Sequence, residues 1–80
     1  MSWNHRVLAH KDGDDIFLQI HEVHYDEKGK PTSYTKNGVS VAGHSLKGLK
    51  WVLKKMELAR NKPILWAGEK WPEEIEILKK

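Results

Sequence analysis

The sequence predicts an α+β fold: a three-stranded antiparallel β-meander followed by one amphipathic helix packed on the sheet, with a short C-terminal strand or helix. Segments rich in β-branched and aromatic residues, separated by turn signals, fill the first half of the chain. Apolar residues then recur at helical spacing from Ser45 to about Asn61. The 80 residues suit one domain with one core, with a compact β-β-β-α unit over about 3–62 and a C-terminal segment over 63–80.

The first two strands are expected over residues 4–10 and 15–25, joined at Asp12-Gly13, because glycine accepts the positive φ of a tight hairpin turn. With these two as the turn residues, Val7 pairs with Leu18. That register places Val7, Ala9, Ile16 and Leu18 on one side of the sheet and Leu8 and Phe17 on the other. A longer loop around residues 14–15 would flip the register.

The third strand is expected over 31–36, after a turn at residues 26–29 that ends in Gly29. Pro31 indicates an edge strand, because it has no N–H to donate. Tyr34 is then roughly opposite Glu22. One face of this open sheet, carrying Phe17, His21 and Val23, requires either self-association or a covering tail.

The helix begins after Ser45, whose hydroxyl can accept a backbone N–H, and ends before Pro63. Lysines and arginine near its end suit the helix dipole. The expected core stripe consists of Leu46, Leu49, Val52, Leu53, Met56 and Ala59.

A second apolar face of the helix is the most informative feature for function. Trp51 and Leu58 are seven residues apart and fall roughly opposite the core stripe, among Lys47, Lys54 and Lys55. An apolar centre with a polar rim is typical of an interface, so these five residues form the predicted interaction surface. Alternatively, the C-terminal segment folds back and covers Trp51 and Leu58 with Trp66, Trp71 or Ile75.

The sequence of that C-terminal segment is compatible with either a strand or a helix. Residues 64–66 are too apolar for a free tail and predict a last strand or a segment lying on the helix. From Trp71 to Lys80, proline first, acids next and lysines last is typical of a helix, whereas the alternation of Glu and Ile is typical of a strand. We favour a short helix.

The charge is concentrated on the helix. Residues 45–62 hold six Lys or Arg against one Asp or Glu, while 1–44 hold five against six and 63–80 three against four. These lysines could contact phosphates with Trp51 stacked on a base, so a nucleic-acid-binding protein is the alternative function. The net charge of +3 is small for that role, and we favour a protein partner or a homodimer.

No residue pattern indicates catalysis, a cofactor or a metal site. His21 and His24 are three apart on a predicted strand and point to opposite faces, so they cannot readily chelate one ion. His5 and His21 are expected to be neighbours without a third ligand. An enzyme would require an unexpected cleft gathering Glu22, Tyr34 and a histidine. The sequence therefore predicts a non-enzymatic protein.

The chain has no cysteine, no apolar run of membrane-spanning length and no apolar stretch behind residues 1–6 that would indicate a signal peptide. We therefore expect a cytoplasmic protein without membrane contact.

Two resemblances agree with this interpretation. Residues 20–35 resemble the "IHEVYYDEDGKPTSWTE" stretch of a family of small bacterial proteins, and residues 43–50 and 62–65 take the places of its "GESLEELR"-type helix start and "KPVL" stop. That family has no established activity, so the resemblance implies a fold unit only. Lys47 and Gly48 replace acidic positions at the family's helix start, which makes this helix unusually basic.

A looser likeness is to HicB-type antitoxins, in which a β-hairpin and third strand precede a G-x-S/T-L-x-x-L helix. Gly43, Ser45, Leu46 and Leu49 fit that signature. The likeness implies one helix packed across a three-stranded sheet and favours a partner-binding module over an enzyme.

Overall fold

The computed structural model describes residues 2–75 and has an α+β fold, as predicted. In chain order its elements are β1 (Ser2–Asp12), β2 (Asp15–Tyr25), β3 (Pro31–Tyr34), α1 (Leu46–Glu57), a 3-10 turn (Leu58–Asn61), β4 (Leu65–Trp66) and a second 3-10 turn (Gly68–Lys70). The strand order is β3-β2-β1-β4, and β4 runs parallel to β1. The predicted three-stranded antiparallel meander is present as β1, β2 and β3, and a short C-terminal strand forms as β4. Because β4 joins the same sheet parallel to β1, that sheet has four strands and is mixed, which differs from the predicted three-stranded antiparallel sheet.

The first hairpin closes on Gly13 and Asp14 rather than on Asp12 and Gly13, with Asp12 opposite Asp15. Gly13 has the positive φ, +62°, that this turn requires. Val7 consequently pairs with Ile20, and the predicted pairing with Leu18 is wrong by two residues. A shift of two leaves every side chain on its predicted side of the sheet, because side chains alternate with a period of two.

The sheet has two faces, which we name after β1 residues. The register places the following residues on the Leu8 face: Asn4, Arg6, Leu8, His10, Phe17, Gln19, His21, Val23 and Tyr25. It places these on the Val7 face: Trp3, His5, Val7, Ala9, Ile16, Leu18, Ile20 and Glu22. Both faces carry fully buried residues of β1, because different parts of the chain cover them.

The C-terminal segment covers much of the Leu8 face. Leu8, Val23 and Leu65 form a buried apolar cluster. Packed against it are the partly buried side chains of Tyr25, Tyr34, Ala67 and Trp71. Of the two predicted alternatives for this face, self-association or a covering tail, the C-terminal segment provides a tail over Val23. His21 is also fully buried, whereas Phe17 remains 52 % exposed.

The helix begins as predicted, with Ser45 Oγ accepting the Gly48 N–H at 3.0 Å. The helix and its 3-10 turn contact β1 mainly at the C-terminal end, where Met56 and Ala59 are buried. Two members of the predicted core stripe are misplaced: Leu46 is 86 % exposed and Leu53 is 50 % exposed. Periodicity identified the apolar side of the helix, but the sheet meets only one end of it.

Three further expectations are corrected. Tyr34 lies opposite Val23 rather than Glu22. The strand β3 was predicted over 31–36, but it ends at Tyr34. The expected C-terminal helix does not form as far as Ile75, since Glu74 makes an antiparallel bridge with Leu65. Residues 76–80 of that predicted helix lie outside the described residues.

Candidate protein-interaction surface on the helix

Trp51 and Leu58 lie on one side of the helix, two turns apart, and are 58 % and 56 % exposed. They line a shallow hollow of about 440 Å³ together with Lys54, Lys55 and Glu57. The structure thus brings together four of the five residues of the predicted interaction surface. Lys47, one turn before Trp51, is exposed but does not line this hollow.

The charged residues around the hollow are partly arranged by local contacts. The Lys55 ammonium lies 5.4 Å from the centre of the Trp51 ring, in cation–π range. Glu57 Oε1 accepts from the Arg60 guanidinium at 2.6 Å, so its charge is offset within its own helix. Both partners are largely exposed, and this ion pair contributes little to folding. The lysines therefore dominate the electrostatics of the hollow.

A second hollow, of about 250 Å³, adjoins the first and shares Lys55 and Leu58 with it. Its other wall is the start of β1, where Trp3 is 48 % exposed and its ring meets His5 edge-on at 5.5 Å between centroids. The apolar surface therefore runs from Trp51 past Leu58 to Trp3. Trp3 is not among the predicted surface residues, although strand alternation places it on the same side of the sheet as Val7.

The described part of the C-terminal segment does not cover Trp51 and Leu58. Trp71 packs on the Leu8 face, where its ring centre is 4.6 Å from that of Tyr34. The Ile75 N–H donates to the Ile64 carbonyl, which ties this segment to itself. Within residues 2–75, the alternative that Trp66, Trp71 or Ile75 folds over the second helix face is therefore wrong.

On the Leu8 face, fully buried His21 contacts partly buried His10. His10 Nε2 and His21 Nε2 are 2.9 Å apart, and His21 Nδ1 is 2.9 Å from the Thr35 carbonyl oxygen. Burial lowers the pKa of His21 below its ordinary value of 6.5, partly opposed by the hydrogen bond to Thr35 and reinforced by nearby His10. His21 is thus a neutral, structural hydrogen-bonding group near pH 7.

The other groups of residues that were considered for a metal or catalytic site do not come together. His5 was expected beside His21, but it pairs with Glu22 on the Val7 face. Glu22 is also separated by the sheet from Tyr34, whose ring contacts His21 at 5.6 Å. Among residues 2–75, no three acidic or histidine side chains come together in a way that could hold a metal ion.

A third hollow, of about 350 Å³, opens beside His10 and the second 3-10 turn. Its charged lining combines Lys11 and Lys70 with Glu69, and the Lys70 ammonium already lies 5.2 Å from the Trp66 ring centre. Because its lining carries both positive and negative charges and Lys70 already lies over the Trp66 ring, this hollow indicates no single class of ligand.

No protein-family model, curated protein or solved structure matches this chain. The two resemblances described above accordingly stay predictions. Within the described residues, no helix combines the length and apolar character that crossing a membrane would require.

Proposed function

We propose that the protein is a non-enzymatic protein-interaction module whose helix binds an acidic, amphipathic protein segment through Trp51 and Leu58. One observation carries the proposal: these two apolar side chains, each more than half exposed, share a hollow walled by lysines. Exposed apolar side chains rimmed by polar residues mark interaction sites in small domains.

The apolar centre supplies affinity. Tryptophan is over-represented among residues that dominate interface energies, and burying a leucine side chain stabilises a complex by about 1.5–3 kcal/mol. The aliphatic stems of Lys54 and Lys55 extend the apolar lining, while their ammonium groups stay at its rim. Trp3, at the far end of the adjoining hollow, provides a second aromatic contact for an elongated partner.

The charge distribution selects the partner. Residues 45–62 hold six of the basic residues and only one acid, and that acid is paired with Arg60. A second copy docked by this same face would set lysine against lysine, which disfavours a homodimer here. A segment with an apolar stripe flanked by Asp or Glu is complementary to both the centre and the rim.

The alternative function, nucleic-acid binding, uses the same lysines. Trp51 could stack on a base, but Leu58 gains nothing from stacking. A protein partner is therefore favoured over a nucleic-acid partner, and the experiment below tests both.

The test is an NMR titration of the ¹⁵N-labelled protein with a synthetic helical peptide that carries one leucine stripe flanked by glutamates. We expect shifts at the Trp51 indole N–H and the Leu58 amide. Trp51→Ala and Leu58→Ala should each weaken binding about tenfold or more, which corresponds to ~1.4 kcal/mol. Leu46→Ala is the matched control, because Leu46 is an exposed leucine of the same helix that does not line the hollow.

Two outcomes would count against the proposal. One is equal binding of a peptide in which lysine replaces every glutamate. The other is salt-sensitive binding of a single- or double-stranded oligonucleotide that Lys54→Glu weakens and Leu58→Ala does not, which would assign the surface to nucleic acid.

A further inference from the structure

The tip of the first hairpin is apolar on both faces and uncovered. Ile16 and Leu18 lie on the Val7 face and are 38 % and 46 % exposed, while Phe17 between them lies on the Leu8 face and is 52 % exposed. The end of the helix shares a hollow with Trp3 and His5 at the other end of β1, and the C-terminal cluster centres on Leu8 and Val23. Three consecutive exposed apolar residues on one strand are unusual on a monomer's surface.

The outer edge of β2 is also unpaired at this tip. The Thr35 N–H donates to the Glu22 carbonyl and the Val39 N–H to the Ile20 carbonyl, so even-numbered residues of β2 point away from β1. By strand alternation, the N–H and C=O groups of Ile16 and Leu18 point the same way. Within residues 2–75, no other backbone group pairs with them.

We propose that two copies of the protein associate through this edge, β2 against β2 in antiparallel orientation, with Phe17 opposite Phe17 of the second copy. An exposed apolar strand edge is a template for adding another strand. This inference uses a surface remote in sequence from Trp51 and Leu58, and it does not depend on the function proposed above.

A second copy in that register satisfies the unpaired backbone groups of this edge. Centring the pair on Phe17 sets Ile16 opposite Leu18 of the second copy, and Leu18 opposite its Ile16. In an antiparallel pair of strands, two opposite residues whose N–H and C=O groups point towards each other exchange both N–H···O bonds. Every outward-pointing group of Ile16 and Leu18 then has a partner.

The side chains and charges agree with the same register. On the Val7 face, each Ile16 meets a Leu18, and on the Leu8 face the two Phe17 rings become cross-strand neighbours. Asp15 falls opposite Gln19 of the second copy rather than another acid. Antiparallel pairing places the acidic hairpin tips of the two copies, residues 14–15, at opposite ends of the paired segment. A parallel pair would instead place residues 14–15 of both copies side by side.

The first test is the oligomeric state, measured by light scattering and sedimentation from about 10 μM to 1 mM. We expect a concentration-dependent dimer, and Ile16→Lys or Leu18→Lys should each raise its dissociation constant at least tenfold, because lysine blunts a sheet edge. Leu46→Lys, the same change at an 86 % exposed leucine, should leave the constant unchanged. Circular dichroism verifies that each variant is folded.

The second test fixes the register by cross-linking, which is straightforward because the chain has no cysteine. Phe17→Cys should form a disulfide-linked dimer rapidly in oxidised glutathione. Gln19→Cys should not, since in the proposed register two copies of residue 19 lie roughly 13 Å apart along the strands, beyond disulfide reach.

Three results would overturn the inference. They are a monomer at 1 mM, a dimer that Trp51→Ala dissociates and Leu18→Lys does not, and faster cross-linking at position 19 than at position 17. The second of these would also contradict the charge argument for the helix surface, whereas the other two leave the helix proposal unaffected.

Discussion

His10 Nε2 and His21 Nε2 lie 2.9 Å apart, and the environment of His21 determines which of them donates. The Thr35 carbonyl can only accept, so the hydrogen of neutral His21 is on Nδ1. His21 Nε2 is therefore the acceptor and His10 Nε2–H the donor. This chain of hydrogen bonds links β1, β2 and the residue after β3, and it requires His21 to stay neutral.

The first prediction concerns acid sensitivity. Because burial lowers the pKa of folded His21, the unfolded chain binds a proton below pH 6.5 that the folded chain does not. The free energy of unfolding should therefore fall as the pH falls from 6.5 to the lowered pKa of folded His21, with a slope of up to about 1.4 kcal/mol per pH unit from this group. Urea unfolding between pH 8 and pH 5 measures it.

The matched variants for this prediction are His21→Gln and His24→Gln, since His24 is exposed on the same strand. The pH slope should shrink in the first and persist in the second. Identical slopes in the two variants would show that His21 is not the responsible group.

The second prediction separates the two sides of the helix. Met56 is 6 % exposed, and Met56→Ala should lower the free energy of unfolding by about 2–5 kcal/mol through a lost apolar contact and a cavity. Trp51→Ala should change it by roughly 0.5 kcal/mol or less, because its ring is already 58 % exposed. A cost for Trp51→Ala close to that for Met56→Ala would mean that another part of the chain covers Trp51.

The third prediction compares two glycines near the start of α1. A Cβ at Gly48 would meet only Ser45 Oγ, at 3.4 Å, so Gly48→Ala should stabilise the protein by up to about 1 kcal/mol through helix propensity. A Cβ at Gly43 would lie 2.8 Å from the backbone nitrogen of Leu49, so Gly43→Ala should destabilise it. Thermal unfolding followed by circular dichroism measures both, and changes of the same sign would contradict this geometry.

The fourth prediction concerns buried Arg6, which is held by hydrogen bonds to uncharged groups. Its guanidinium donates to Tyr25 Oη at 2.9 Å and to the Pro63 carbonyl at 2.8 Å, and the Tyr25 hydroxyl donates to Asn4 Oδ1 at 2.7 Å. Tyr25→Phe removes two of these bonds at once, and we expect it to cost about 1–3 kcal/mol in urea unfolding. Ser33→Ala, on the exposed part of β3, is the control and should be nearly neutral.

Local chemistry explains the elements that the sequence predicted well. Gly13 and Gly29 supply the positive φ of two turns, Ser45 caps α1, and alternation along β1 and β2 assigns each side chain to its face. The two-residue error in the hairpin register arose because Asp12-Gly13 and Gly13-Asp14 are both good turn sequences, and a shift of two leaves the apolar pattern unchanged.

The features that the sequence left open or predicted wrongly depend on distant contacts. Residues 64–66 were predicted as a last strand or a segment lying on the helix, and Leu65–Trp66 form β4 because the backbone at Leu8 and Ala9 is available to pair with them. Leu46 and Leu53 follow helical periodicity as well as Met56 does, but the sheet reaches only the end of the helix that carries Met56.

The sequence by itself determined the strands, the helix and the two apolar faces of that helix, because these depend on residue spacing and backbone preference within short segments. The tertiary structure decided which apolar residues are covered. The C-terminal segment packs on Val23, and His21 is buried in contact with His10, Tyr34 and Thr35. Trp51, Leu58 and the tip at Phe17 stay exposed. Periodicity shows which residues share a side, whereas burial depends on which parts of the chain meet, and distant residues decide that.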